Sequence, residues 1–172
     1  KIFRQVTDRL YAVQNAQGET VGYGHSTWAL IDYDTRQPIN LENLPDGGFS
    51  GALHAEDVPI AGAGRARVKC ETPSLMHRAA FSDLDINGHV NSIRYLSLIL
   101  DTFSKQWHET HQVKRIEMSY GLEAYADDEL RVYADDLGND RWAFEIRRVR
   151  PSEGEQETLV VRSIITALAV TE

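Results

Sequence analysis

The stretch that most constrains this chain is Phe81-Ser82-Asp83-Leu84-Asp85-Ile86-Asn87-Gly88-His89-Val90-Asn91, together with the apolar segment that follows it. Asp83, Asp85, Asn87, His89 and Asn91 alternate with Leu84, Ile86, Gly88 and Val90. A period of two ordinarily marks a half-buried strand. Asp, Asn and Gly are poor strand formers, however, and favour turns closed by side chain-to-backbone hydrogen bonds. The stretch therefore reads as a structured polar loop entering a helix, with Asn91 or Ser92 as N-cap. From there Ile93, Leu96, Leu100, Phe103 and Trp107 recur at helical spacing, and Leu98 and Ile99 make the segment apolar almost all round. This predicts one buried helix ending near His108 to His111. Arg94, Asp101 and Lys105 interrupt it, and it is too short to span a bilayer. A carboxylate-bearing loop thus meets the positive end of a buried helix, where free backbone N–H groups can bind an oxyanion.

The flanking segments predict β structure. Arg9 to Val13 and Val21 to Asp32, on either side of Asn15-Ala16-Gln17-Gly18, form a hairpin, which alone is not a stable domain in water. Residues 39–64 hold Pro45, Asp46-Gly47-Gly48, Pro59 and Gly62-Ala63-Gly64 without a sustained period, and read as a surface connection. His54, Glu56 and Asp57 lie there, but no matching Cys or His cluster supports a metal site. Arg65 to Cys70 reads as a strand feeding the polar loop. Val113 to Leu122, Glu129 to Asp136, Arg141 to Val149 and Thr158 to Val170 read as four more strands. Asp127-Asp128, Gly138-Asn139-Asp140 and Pro151-Ser152-Glu153-Gly154 supply turns. The order is that of an α+β fold, an antiparallel sheet wrapped around one long helix. His108 and His111 read as cation-capable residues near a helix C-terminus rather than as metal ligands.

Composition narrows the function. A formal charge of −8 argues against nucleic-acid binding, which needs a basic face. A single cysteine, Cys70, excludes an internal disulfide framework and suits a reducing, cytoplasmic compartment. No signal peptide or membrane span is visible.

Three chemistries compete for the polar loop. Asp83-x-Asp85-x-Asn87-Gly88 matches the start of an EF-hand, but the twelfth position, which must be a bidentate Glu, is Arg94. A purely structural turn and cap needs one or two such residues, not five. A catalytic reading has Asp85, Asn87 and His89 supply a carboxylate, an amide and an imidazole at a helix N-terminus, which suits acyl transfer.

Ser82 to Tyr95 resembles the signature of the acyl-acyl-carrier-protein thioesterases of plants and bacteria. Ser26-Thr27-Trp28-Ala29-Leu30-Ile31-Asp32 followed by Thr35-Arg36-Gln37-Pro38 is similar to that family's second signature, with Gln37 where Lys is more usual. The resemblance implies a hotdog fold. Residues 1–38 would be the closing strands of a first, incomplete hotdog domain, 39–64 a linker, and 65–172 a second hotdog domain carrying the catalytic loop. With the start at Lys1 rather than Met, a truncated or incompletely resolved chain is the expectation. The resemblance also implies catalytic roles for Asp85, Asn87, His89 and Glu123, the last on the strand after the central helix. It implies no cofactor and no metal. Glu123 or Asp85 would act as base on a water held by Asn87 and His89. Ala124 follows Glu123 where some relatives have Cys, so a thiolate mechanism finds no support. The implied partner is an acidic carrier protein bearing an acyl-phosphopantetheine, met through Arg147-Arg148-x-Arg150 or Arg65-x-Arg67-x-Lys69. The rivals are an acyl-coenzyme A thioesterase and a non-catalytic acyl-binding hotdog domain. Whether copies associate into a homo-oligomer is left open.

Overall fold

The computed structural model describes residues 2–3, 5–35, 37–44, 51, 59–150, 152, 154 and 156–170. His54, Glu56 and Asp57, the Asp46-Gly47-Gly48 turn, Arg36, Pro45, Pro151 and Glu153 lie outside them. The chain divides into two compact units, Lys1–Gly62 and Ala63–Glu172.

The first unit is the expected hairpin with one short strand added. β1 (Ile2–Phe3), β2 (Val6–Gln14) and β3 (Thr20–Ala29) pair antiparallel in that order. The tip is set by Asn15, whose side-chain oxygen accepts from the N–H groups of Gln17 at 3.0 Å and Glu19 at 2.9 Å. Gly18 takes φ +81°, the left-handed conformation such a turn needs.

The second unit holds β4 (Leu75–Arg78), α1 (Ser92–Leu100), α2 (Lys105–Thr110), β5 (His111–Tyr120), β6 (Glu129–Gly138), β7 (Arg141–Val149) and β8 (Glu157–Ala169). Its five strands form one antiparallel sheet in the order β4-β6-β7-β8-β5. One face of the sheet is apolar. There Leu130, Val132, Phe144, Ile146, Val160 and Ile165 enclose Tyr95, Leu98 and Ile99 of α1. This is the hotdog arrangement, a sheet wrapped around a central helix.

Three local expectations are corrected. The single long helix is two, because Thr102 donates its hydroxyl to the Ile99 carbonyl at 2.7 Å and Ser104 caps a new helix by accepting from Trp107 N–H at 3.1 Å. The buried face of α1 is Tyr95, Leu98 and Ile99, while Ile93 is 66 % exposed. Residues two positions apart on a helix are separated by ~200°, so a loop that turns Tyr95 inward turns Ile93 outward. Arg65 to Cys70 is extended but joins no sheet. The N–H groups of Lys69 and Cys70 go to the Asp135 carboxylate instead of a ladder, and the incoming strand is β4. His108 and His111 each place a ring nitrogen 3.1 Å from a helix carbonyl, those of Leu100 and Trp107. The His111 ring also stacks on Trp107, which stacks on Phe103.

The other face of the sheet carries an ion-pair lattice. Arg147 bonds Glu145 and Glu157, Arg131 bonds Glu129 and Glu157, and Arg162 bonds Glu145. Glu145 is buried at 5 % exposure. Burial alone would push its carboxyl up, but the Arg147 and Arg162 guanidiniums outweigh it and hold the group below its ordinary range. Glu157 is held low in the same sense against its own burial, by Tyr133, Arg131 and Arg147. A carboxyl depressed in the folded state stabilises the fold above its unfolded value, about 4.3, and loses that contribution as pH falls through the folded value. The melting temperature is therefore expected to be flat near neutrality and to drop below about pH 4.3. Glu145→Gln should cost about 3 kcal/mol at pH 7 and blunt the acid limb, as read by calorimetry across pH.

Candidate active site

The loop between β4 and α1 is built on Asp83, which is 6 % exposed. Its Oδ2 accepts from Ala80 N–H at 2.8 Å and lies 2.7 Å from His77 Nε2, which places the imidazole proton on that nitrogen. Its Oδ1 faces Arg94 Nε at 2.8 Å; the N–H is not aligned for a hydrogen bond, so this is an ion pair. The cation at the twelfth position of the EF-hand-like pattern thus neutralises the first. Burial would raise the Asp83 carboxyl, and the Ala80 amide, His77 and Arg94 more than offset it and hold it low. The Asp83 carbonyl accepts from Asn91 N–H at 2.8 Å and closes the loop.

Inside that closure Asp85 organises the tip. Its Oδ1 accepts from the N–H groups of Asn87 at 2.8 Å and His89 at 3.2 Å, while its own N–H donates to the His89 carbonyl. Gly88 takes φ +78° at the turn. Leu84 and Val90 form an isolated bridge. Asn91 caps α1 by accepting from Ile93 N–H at 2.9 Å, as expected of one of the two candidate caps. Arg94 N–H goes to the Asn91 carbonyl. Among the described residues, Ser92 N–H is then the first-turn amide with no protein acceptor. The helix end therefore offers one free amide, not the several that the sequence suggested.

Glu123 is brought to this loop by a break in the sheet. β5 ends at Tyr120, so Glu123 follows the strand rather than lying on it. A side chain at Gly121 would place its Cβ 3.0 Å from the Leu159 carbonyl oxygen, tighter than ordinary van der Waals contact, so glycine eases the chain's close run past β8 before it turns. Val90 N–H donates to the Ala124 carbonyl at 2.8 Å and ties the two segments together. The result sets Glu123 Oε2 3.4 Å from His89 Nε2.

These groups share a cavity of about 260 Å³ lined by Asp85, His89, Ser92, Tyr95, Tyr120 and Glu123, among others. Of the four predicted site residues it takes in Asp85, His89 and Glu123. Asn87 is exposed at the loop tip and is not among the lining residues. Sequence reasoning missed Tyr95 and Tyr125. Tyr95 stands in the aliphatic run of α1 and reads there as core; it is indeed buried, which pushes its phenol up to about 12, and it accepts from Ala124 N–H. Tyr125 donates to Glu123 Oε2 at 2.9 Å. Its spacing of two from Glu123 was the only sequence signal available.

The turn after Glu123 is anchored by Asp128, which is 2 % exposed. Arg150 donates to its two oxygens at 2.9 and 3.1 Å, and Tyr125 N–H donates at 3.0 Å. Burial would raise this carboxyl too, and Arg150 with the Tyr125 amide holds it low. Arg148 lies 3.7 Å from the same carboxylate, and Arg147 is committed to Glu145 and Glu157. Arg147-Arg148-x-Arg150 is therefore no free basic docking face. Arg65, Arg67 and Lys69 are exposed and alternate with inward Ala66, Val68 and Cys70.

Residues 69–167, more than half of the chain, match the model of the acyl-ACP thioesterase C-terminal domain. The chain belongs to the acyl-ACP thioesterase family. It is 26 % identical over 123 residues to the chloroplastic oleoyl-acyl carrier protein thioesterase 2 of Arabidopsis thaliana, covering 66 % of this chain and 33 % of that protein. It is 25 % identical over 129 residues to the chloroplastic palmitoyl-acyl carrier protein thioesterase of Gossypium hirsutum, covering 72 % and 31 %. The chain thus spans about a third of the length of the curated relatives it matches. Among solved structures, an acyl-ACP thioesterase from Bacteroides thetaiotaomicron superposes with a TM-score of 0.86 at 34 % identity, over 98 % of this chain and 65 % of that one. The 12:0-ACP thioesterase of Umbellularia californica superposes at 0.77 and 20 % identity, over 99 % and 65 %, a likeness of fold. Among the described residues no helix is long and apolar enough to cross a membrane, and no three His, Cys, Asp or Glu side chains gather to hold a metal ion.

The order of bonds makes Asp83 the residue on which the loop depends. Asp83→Ala is expected to cost about 3 kcal/mol in denaturant unfolding. It should also speed hydrogen exchange across residues 83–91, while the sheet core keeps its protection.

Proposed function

We propose that this chain carries the hydrolytic site of a fatty-acyl thioesterase whose substrate is an acyl-acyl carrier protein. The observation that carries the reading is the Glu123–His89 pair, 3.4 Å apart, sharing a cavity with Asp85 and the first turn of α1 in a member of this family. In this reading a water lies between the carboxylates and the imidazole. Glu123 or Asp85 takes its proton as the oxygen attacks the thioester carbonyl carbon. The carbonyl becomes an oxyanion held by Ser92 N–H at the positive end of α1. The carbon–sulfur bond then breaks, and the thiolate leaves and takes up a proton. His89 orients the water and carbonyl. Asn87 was expected to share that work; its exposed position supports it least of the four.

The domain reading belongs to the same proposal. Residues 1–38 would be the closing strands of a first hotdog domain, 39–64 a connection, and 65–172 the domain that holds the site. The carrier protein would be met by Arg65, Arg67 and Lys69, which stay exposed and pair with no carboxylate among the described residues. The rest of the −8 chain would repel an acidic partner.

The test is thiol release by the full-length protein from acyl-carrier-protein and acyl-coenzyme A thioesters, beside Asp85→Asn and Glu123→Gln. Asp85→Asn keeps an oxygen acceptor for the Asn87 and His89 amides, so it removes charge without opening the loop. The variant that loses the base should fall about 100-fold or more in kcat, and the other less. No release from any thioester by a folded protein would leave an acyl-binding domain. Equal use of both carriers would favour the coenzyme A rival. A separate prediction concerns docking: Arg65→Glu with Arg67→Glu should raise KM for the carrier-protein substrate several-fold, with the effect fading at high salt. The coenzyme A thioester should be affected much less.

A further inference from the structure

Resting on that thioesterase reading, we infer that Tyr125 is a positioning residue, a clamp that holds Glu123 and His89 in register for the reaction. Its hydroxyl donates to Glu123 Oε2 at 2.9 Å, the same oxygen that faces His89 Nε2 at 3.4 Å. Its ring meets the His89 ring edge-on, with centroids 5.1 Å apart and planes at 86°. One side chain thus touches both members of the pair by two different contacts.

The clamp is itself held. Tyr125 N–H donates to Asp128 Oδ2 at 3.0 Å, and the Asp128 N–H returns to the Tyr125 carbonyl. Arg150, which grips the Asp128 carboxylate with two N–H groups, also places its guanidinium 5.2 Å from the centre of the Tyr125 ring. The phenol is therefore fixed on its backbone side by a buried ion pair, and on its ring by a cation on one contact and an imidazole on another. Glu123 lies on the same irregular segment beyond the end of β5, with a side chain 43 % exposed. A half-exposed glutamate has several rotamers to choose from, and ordering it opposes entropy. A charge-assisted hydrogen bond from a fixed donor is a sufficient counterweight. The Glu123 carboxylate in turn raises the Tyr125 phenol above its ordinary value, so the hydroxyl stays a donor at neutral pH.

Tyr125 is not among the residues lining the cavity, and its contacts with the site are those to Glu123 and His89. This separates it from a binding residue by experiment. Tyr125→Phe keeps the ring against His89 and removes only the hydroxyl. It is expected to lower kcat about tenfold with KM unchanged and the melting temperature unmoved. In a Glu123→Gln background the same change should have no further effect, because the charged acceptor is already gone. An activity-independent readout is the His89 imidazole signals by NMR. They should shift in Tyr125→Phe although the ring is retained, because the carboxylate facing Nε2 is released. Unchanged kcat together with unchanged His89 signals would overturn the clamp, and so would a loss fully additive with Glu123→Gln. Absence of thioester hydrolysis in the unmodified protein would overturn the thioesterase reading instead, and the His89 signals would then decide the clamp alone.

Discussion

A carboxylate in the protein interior is tolerated only where enough donors surround it, and Asp83 meets that condition with partners drawn from three elements: His77 on β4, the Ala80 amide in the following turn and Arg94 on α1. The two hydrogen bonds and the ion pair offset the charge, and together they fix where the loop leaves the sheet and where the helix begins. The Asp83 carbonyl then takes the Asn91 amide, which sets the N-cap. Asp85 and His89 lie between these two fixed points. Their placement beside the cavity follows from the closure, much as a hairpin's side chains follow from its register.

A second buried carboxylate, Asp128, does the same for the opposite wall. Arg150 and the Tyr125 amide compensate it, and the turn it stabilises aims the Glu123 segment back toward the loop. The Val90–Ala124 hydrogen bond joins the two walls. The candidate site is therefore held between two compensated buried charges, with the more exposed groups, Glu123 and His89, in the middle. Rigid surroundings around a small number of exposed polar groups are what water activation requires. The arginines that a charge count suggests for docking are largely used in this compensation and in the lattice on the far face of the sheet.

Much of this was legible from local chemistry. The polar loop was recognisable because Asp, Asn and Gly cannot sustain a strand however regular their alternation, and Asn91 was recognisable as a cap from its side chain and position. The hairpin of β2 and β3 and the four strands β5 to β8 were readable from alternation and turn residues. Arg65 to Cys70 alternates as well as any of them, yet the Lys69 and Cys70 amides find Asp135 rather than a neighbouring strand. The apolar run after Asn91 promised one helix; Thr102 and Ser104 divide it by side chain-to-backbone bonds whose outcome depends on the packing of Phe103 and Trp107. The family resemblance pointed to Glu123, which nothing in the local pattern around it singles out.

By itself, the sequence determined the local conformations: which residues turn, which cap, which alternate, and that a carboxylate-rich loop must open a buried helix. These follow from backbone and side-chain preferences over a few residues. The partners of the charges were decided only by the tertiary structure. Nothing in the spacing of Asp83, Asp128 and Arg150 says that the first two are buried and compensated, or that Arg150 serves Asp128 instead of solvent. Nor does spacing show that Tyr125 reaches Glu123 while Asn87 stays outside the cavity. A charge's role depends on burial and on what lies within hydrogen-bonding distance, and both are set by contacts between segments remote in the chain.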